Sequence, residues 1–153
     1  MLKISRFVQG VIDGIASENT AIYNPVFFCG NTKDVACVLD LVTLEYGRRN
    51  PEKRIVRVSG EGFRHVVLNG IVRGDLQLAL KNCSTCNLFV FENAELIEGQ
   101  LVTMKEFYGV FDRIFEAGGQ IVVGSAILPS DMPALEDRVR TQFEAGIVCS
   151  VYE

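Results

Sequence analysis

Apolar and polar positions alternate along this chain in two textures. Short runs rich in β-branched and aromatic residues, at 26–29, 54–58, 88–91, 120–123 and 146–151, read as strands. Longer stretches between them carry helical spacing. Residues 33–46 are apolar on nearly every side, which predicts a buried helix, and Gly47 followed by Asn50-Pro51 predicts its end. Thr103-Met-Lys-Glu106 has the form of a capping box, with Val102 placed to staple onto Phe107. Met104, Phe107, Phe111, Ile114 and Phe115 then make one apolar stripe, closed by Gly118. A helix start is expected near Ser59-Gly-Glu. A last helix is expected near Asp131, with Leu135, Val139 and Phe143 at i, i+4 and i+8. Strands alternating with helices imply an α/β fold: a three-layer α/β/α sandwich around a five-stranded, mainly parallel sheet.

Composition narrows the choice of class. At 153 residues, 48% hydrophobic and 22% charged, the chain reads as one globular domain over 1–153. A domain of that size buries roughly 70% of its unfolded surface. A formal charge of −4 argues against a surface that grips nucleic acid on every side, although a local basic face is compatible with it. Gln9 and Asp13 interrupt the N-terminal apolar run, which makes it a poor leader core, and no run approaches a membrane span. Five cysteines, an odd number, do not suggest a disulfide framework. The expectation is a cytoplasmic chain with reduced thiols and no membrane partner.

The most informative segment follows the first strand. Gly30-Asn-Thr-Lys-Asp-Val-Ala-Cys37 stands between an apolar strand and a long helix, where a phosphate-binding loop of the form G-x-x-x-x-G-K-[ST] would stand. Only Gly30 fits. Val35 replaces the second glycine, Ala36 the lysine and Cys37 the hydroxyl. Lys33 lies three positions early, in the loop rather than at the helix start. Asp34 has two readings: a carboxylate taking the electrostatic role of phosphate at a helix N-terminus, or plain helix capping.

Three further segments, Tyr23-Asn-Pro-Val-Phe-Phe, Phe115-Glu-Ala-Gly-Gly-Gln-Ile-Val-Val and Leu135-Glu-Asp-Arg-Val-Arg-Thr-Gln-Phe-Glu-Ala-Gly-Ile, resemble the AAA+ (P-loop NTPase) domain of the bacterial replication initiator DnaA family. The likeness runs from about Phe7 onward in family order, without that family's helical lid or helix-turn-helix domain. The resemblance implies positions for the working groups of an ATPase. The acidic pair that ends the third strand falls on Glu92 and Asn93, the polar sensor on Ala126 and the arginine finger on Gln142. A finger of that kind is worth roughly 10³–10⁵ in rate in related enzymes. The resemblance therefore implies no ATP hydrolysis and no cofactor.

The resulting expectation is a non-hydrolysing DnaA-like module that acts by protein interaction or regulation in replication initiation. Its partner would be a protein, such as an initiator or related factor; homo-oligomers and DNA are compatible too. Two alternatives stay open. One is ATP-independent DNA binding through Arg48, Arg49, Lys53 and Arg54, with Arg57 and Arg64 nearby. The other is a weak ATP or ADP sensor using Gly30, Asn31, Thr32 and Lys33. Cys83-Ser-Thr-Cys86 reads as a turn before a buried strand, with half a zinc site as the minority reading; no metal is expected. Cys29, Cys37 and Cys149 read as core fillers and the lone His65 as a surface residue.

Overall fold

The computed structural model describes residues 3–17 and 23–152. Five strands, β1 (Val26–Cys29), β2 (Ile55–Ser59), β3 (Leu88–Glu92), β4 (Gln120–Ser125) and β5 (Ile147–Ser150), form one sheet in the order β2-β3-β4-β1-β5. Every pairing is parallel. Parallel neighbours require crossovers. α1 (Arg6–Ala16) precedes the sheet, and the crossovers are supplied by α2 (Thr32–Arg49), α3 (Gly60–Arg73), α4 (Leu76–Ser84), α5 (Leu101–Glu116) and α6 (Asp137–Glu144).

Strand alternation sorts the core into two layers. Val26, Phe28, Leu88, Val90 and Val122 face α1 and α2, where Val8, Ile12, Val35, Leu39 and Val42 cover them. Phe27, Phe89, Phe91, Ile121 and Val123 face the opposite layer, built from α3, α4, α5 and α6. That second layer is aromatic: Phe91 and Phe107 have ring centroids 4.5 Å apart, and Phe143 joins Phe107 at 5.5 Å and Phe27 at 5.4 Å. Such contacts add to simple area burial. The three-layer α/β/α sandwich expected from the alternation is the architecture of the chain.

Several boundaries differ from the sequence expectation, each for a local reason. Gly47 does not end α2, which runs to Arg49 and is closed by Asn50, whose Nδ2 donates to the carbonyl oxygens of Ala16 and Tyr46. The helix is also not buried all round, since Leu44 is exposed. The capping box at Thr103 does not form. α5 starts two residues earlier, so Thr103 is a buried helical residue and Val102 an exposed one. Phe115 leaves the α5 stripe and is half exposed, stacked on Phe111. Gly118, with φ of 84°, does close that helix.

The last helix begins at Asp137, not Asp131. Residues Pro129–Asp131 form a single 3-10 turn, and Leu135 is buried just ahead of the helix. Arg140 clamps this approach by donating to the carbonyl oxygens of Pro129, Met132 and Leu135. Helix α1 lies outside the segments read as elements. Ser5 caps it, accepting from Val8 N–H at 3.1 Å, and Val8, Val11, Ile12 and Ile15 form its buried stripe.

One close packing point ties β4 to α2. A Cβ on Gly124 would lie 2.6 Å from Val35 Cγ1 and 2.8 Å from Leu39 Cδ1. Gly124→Ala should therefore destabilise the chain by about 1–3 kcal/mol through overpacking. Adding Val35→Ala should return part of that loss. Urea unfolding of the two single variants and the double variant measures the coupling.

Candidate functional site

In a parallel sheet the carboxyl ends of the strands and the helix N-termini that follow them collect at one edge. The crevice lies where the strand order reverses. Here that point is β1, flanked by β4 and β5. Gly30 and Asn31 leave β1, Ser125 and Ala126 leave β4, Glu92 and Asn93 leave β3, and Val151 and Tyr152 leave β5.

The segment 30–37 is short of loop. Asn31 is the N-cap of α2: its Oδ1 accepts from Asp34 N–H at 2.8 Å, and its Nδ2 donates back to Asp34 Oδ2 at 2.8 Å. This reciprocal cap satisfies a donor that a helix start leaves open. The helix consequently begins at Thr32, and Lys33 sits in its first turn rather than in a loop. Three further amides around the turn are already used. Gly30 N–H donates to Ser125 O at 3.2 Å, Asn31 N–H to the Tyr152 hydroxyl at 2.7 Å and Val35 N–H to Asn31 O at 2.9 Å. A Cβ on Gly30 would come 2.4 Å from Val151 Cγ2, so the exit of β5 lies directly against this turn. Val35 points into the core, Ala36 is half-buried, and Cys37 is exposed, not the core filler expected from composition.

The acidic groups of the edge are likewise engaged. Arg57 of β2 donates to both oxygens of Glu92, Nε to Oε1 at 3.1 Å and Nη2 to Oε2 at 3.3 Å. Its Nη1 donates to Asp40 Oδ1 of α2 at 2.7 Å. Burial works against the guanidinium charge, yet the bonds to Glu92 and Asp40 hold it above the usual arginine range. Asn93 adopts a left-handed conformation with φ of 51°, and its carbonyl oxygen would stand 2.5 Å from a Cβ on Gly60. Ala126 N–H donates to Glu95 Oε1 at 3.0 Å, while Ser125 Oγ turns to Ile127. Cys29 feels the same acids: burial pushes its thiol up, and the charges of Asp131 and Glu95 push it further.

This edge, the strand order and the two-layer core can be set beside known proteins. The family model for the bacterial DnaA ATPase domain matches residues 3–150. The chain belongs to the bacterial DnaA ATPase-domain family. The chromosomal replication initiator protein DnaA of Symbiobacterium thermophilum is 27% identical over 148 residues, which are 96% of this chain and 32% of that protein. This chain spans about a third of the length of the curated relatives it matches. Among solved structures, a replication initiator DnaA bound to AMPPCP and single-stranded DNA superposes with a TM-score of 0.89 at 20% identity, covering 97% of this chain and 46% of that one. Domain III of the Thermotoga maritima DnaA gives 0.88 at 16% identity, covering 95% and 61%. Those structures fix the AAA+ P-loop fold.

Gln142, expected from the resemblance at the finger position, points inward. It is 6% exposed, and its Nε2 donates to Tyr108 O at 3.0 Å and Asp112 Oδ1 at 3.2 Å, leaving Oε1 without a partner. The basic residues lie elsewhere, at the end of α2 and the start of β2, on the edge opposite Gly30. Arg48 pairs with Glu45 at 2.9 Å, Arg49 with Asp13 at 3.3 Å and Glu45 at 3.4 Å, and Arg54 Nη2 donates to Asn82 O at 2.9 Å. Lys53 N–H donates to Asn50 O at 3.0 Å. His65 is exposed beside Glu61, as expected. Cys83 lies in the last turn of α4, not on the expected turn, and Cys86 precedes β3; both are half-buried. Among the described residues no three His, Cys, Asp or Glu side chains gather as a metal site, and no helix is long and apolar enough to cross a membrane.

Three contributors at this edge escape sequence reading. Arg57 reads in the sequence as a neighbour of the basic cluster, although strand alternation sets it on the face of Ile55, beside Glu92 and Asp40. Glu95 and Tyr152 reach the site through long-range contacts that no local pattern encodes.

Two measurements follow from these pairings. Arg57→Met should lower stability by about 1–2 kcal/mol, because it strips the charge-assisted bonds from Glu92; chemical denaturation reads the loss. Burial raises the Cys86 and Cys149 thiols from 9.0 to about 11. A raised folded value means that their contribution is complete below pH 9.0 and disappears as pH climbs towards about 11. Unfolding midpoints across that window should fall, and less steeply in Cys149→Ala than in the parent chain.

Proposed function

We propose that this chain is a non-hydrolysing member of the DnaA ATPase-domain family that serves as a protein-interaction or regulatory module in replication initiation. One observation carries the reading: four backbone donors of the would-be phosphate loop are committed within the chain. A phosphate cradle needs inward-facing N–H groups and a lysine at the helix start. Here Gly30, Asn31, Asp34 and Val35 give their N–H groups to Ser125, Tyr152 and Asn31. Ala36 brings no charge to the lysine position. Of the polar groups that would approach magnesium, Cys37 offers sulfur where oxygen is preferred, and Glu92 is held by Arg57. The donor set does not fit a magnesium triphosphate.

The acidic surroundings act in the same direction. Asp34 stands in the first turn of α2, and Glu95 and Asp131 lie close enough to Cys29 to push its thiol up, so this edge carries carboxylates that would repel a polyanion. Gln142 is turned towards α5, so it offers no cation to a neighbouring copy. Any association with an initiator, a related factor or a second copy would then be independent of ATP.

Titration calorimetry with ATP and magnesium checks this reading. No saturable heat is expected at nucleotide concentrations up to about 1 mM, a range in which even weak sites register, and no phosphate is released. Micromolar binding with turnover would overturn it. Binding without turnover would instead support the sensor alternative.

DNA binding without ATP is the second reading, favoured by the single-stranded DNA in the related initiator complex. Reversing Arg48, Arg49 and Arg54 to glutamate separates the two. We expect DNA retention and its salt slope to stay unchanged, since these arginines already answer to Glu45, Asp13 and Asn82. A slope that falls by about one per removed contact would favour the DNA reading.

A further inference from the structure

At the amino edge of the sheet, away from the candidate site, α1 and the start of β1 border a groove of about 340 Å³. That volume lies in the range of small-molecule sites. Its walls include Phe7 and Tyr23, with Gly10 and Gly14 leaving the helix face flat between them. A Cβ at either glycine would meet nothing within 4 Å, so the space beside the helix is open rather than packed shut.

Gln120 supplies an independent observation. It lines the groove yet is only 7% exposed. Its Nε2 donates to Tyr23 O at 3.0 Å, Ile121 O at 3.1 Å and Asn24 Oδ1 at 3.3 Å, and these three acceptors fix the amide orientation. Its Oε1 accepts from no donor among the described residues, and it is not among the sealed side-chain oxygens of the fold. An amide oxygen on the groove that nothing inside the chain satisfies and that is not sealed from solvent is open to an incoming donor. Arg6, also on the groove, has no acidic partner among the described residues. Aromatic walls, one open acceptor and one unpaired cation therefore share a single cleft.

We infer that this groove binds a small aromatic carboxylate that carries a hydroxyl or N–H donor. The ring lies on the flat face of α1 between Phe7 and Tyr23, the donor reaches Gln120 Oε1, and the carboxylate meets Arg6. The inference is independent of the state of the phosphate loop, because no residue is shared between the two places.

The probe is 4-hydroxyphenylacetate, titrated into the ¹⁵N-labelled chain while backbone amide resonances are followed. Saturable shifts are expected at 6–15, 23–26 and 120, with a dissociation constant of about 1 mM or tighter. Phenylacetate keeps ring and charge but lacks the donor, and should bind about five- to tenfold more weakly. Arg6→Gln should weaken both acids and leave 4-methylphenol unaffected. Gly14→Leu fills the cleft without touching the core. It should abolish the shifts while Tm holds or rises, because leucine is the better helix former. Shifts that do not saturate, that spread over the whole chain, that persist in Gly14→Leu or that are equal for phenylacetate each overturn the assignment.

Discussion

The exchange of hydrogen bonds between Asn31 and Asp34 sets the register of the carboxyl edge. By starting α2 at Thr32 it turns residues 33–37 into helix and brings Val35 round to the sheet face. Val35 then needs room on β4, which only Gly124 gives. The same start leaves the Asn31 amide pointing at the end of β5, where the Tyr152 hydroxyl accepts it. Strand, helix and chain exit are thereby locked to one another through one short turn. A wider loop would undo all of these contacts together, so the turn is stabilised cooperatively rather than by a single bond.

Charge is managed in the same internal manner. The Arg57 guanidinium joins Glu92 of β3 to Asp40 of α2, three elements held by one planar fork. Arg140 closes on three carbonyl oxygens ahead of α6, and Glu95 ties the turn after β3 to the end of β4. Each of these charged groups is answered within the chain, by an opposite charge or by backbone, which rigidifies the edge.

The sheet was legible in the sequence because buried parallel strands are short, dense apolar runs. Phe27, Phe89 and Val122 stand in such runs; the strand of Phe27 has the expected boundaries, and the other two end one or two residues later. Helix ends were less legible. Thr103 and Glu106 have the residue types of a capping box, but Leu101 and Val102 had already entered the helix, so tertiary packing overrode the local pattern. Gly47 failed as a terminator because Asn50 caps the helix three residues on, bonded to α1. At the site, the substitutions at Val35, Ala36 and Cys37 could be read directly from spacing. The roles of Tyr152, Glu95 and Arg57 could not, since each depends on a partner at least 17 residues away.

Gly30 answers a steric demand of the fold itself. Its missing side chain leaves space for the Val151 methyl group and the Tyr152 ring. Any larger residue would push the end of β5 off the turn, whether or not a nucleotide ever visits. A glycine at that place is thus explained by steric demand from the residues that follow β5.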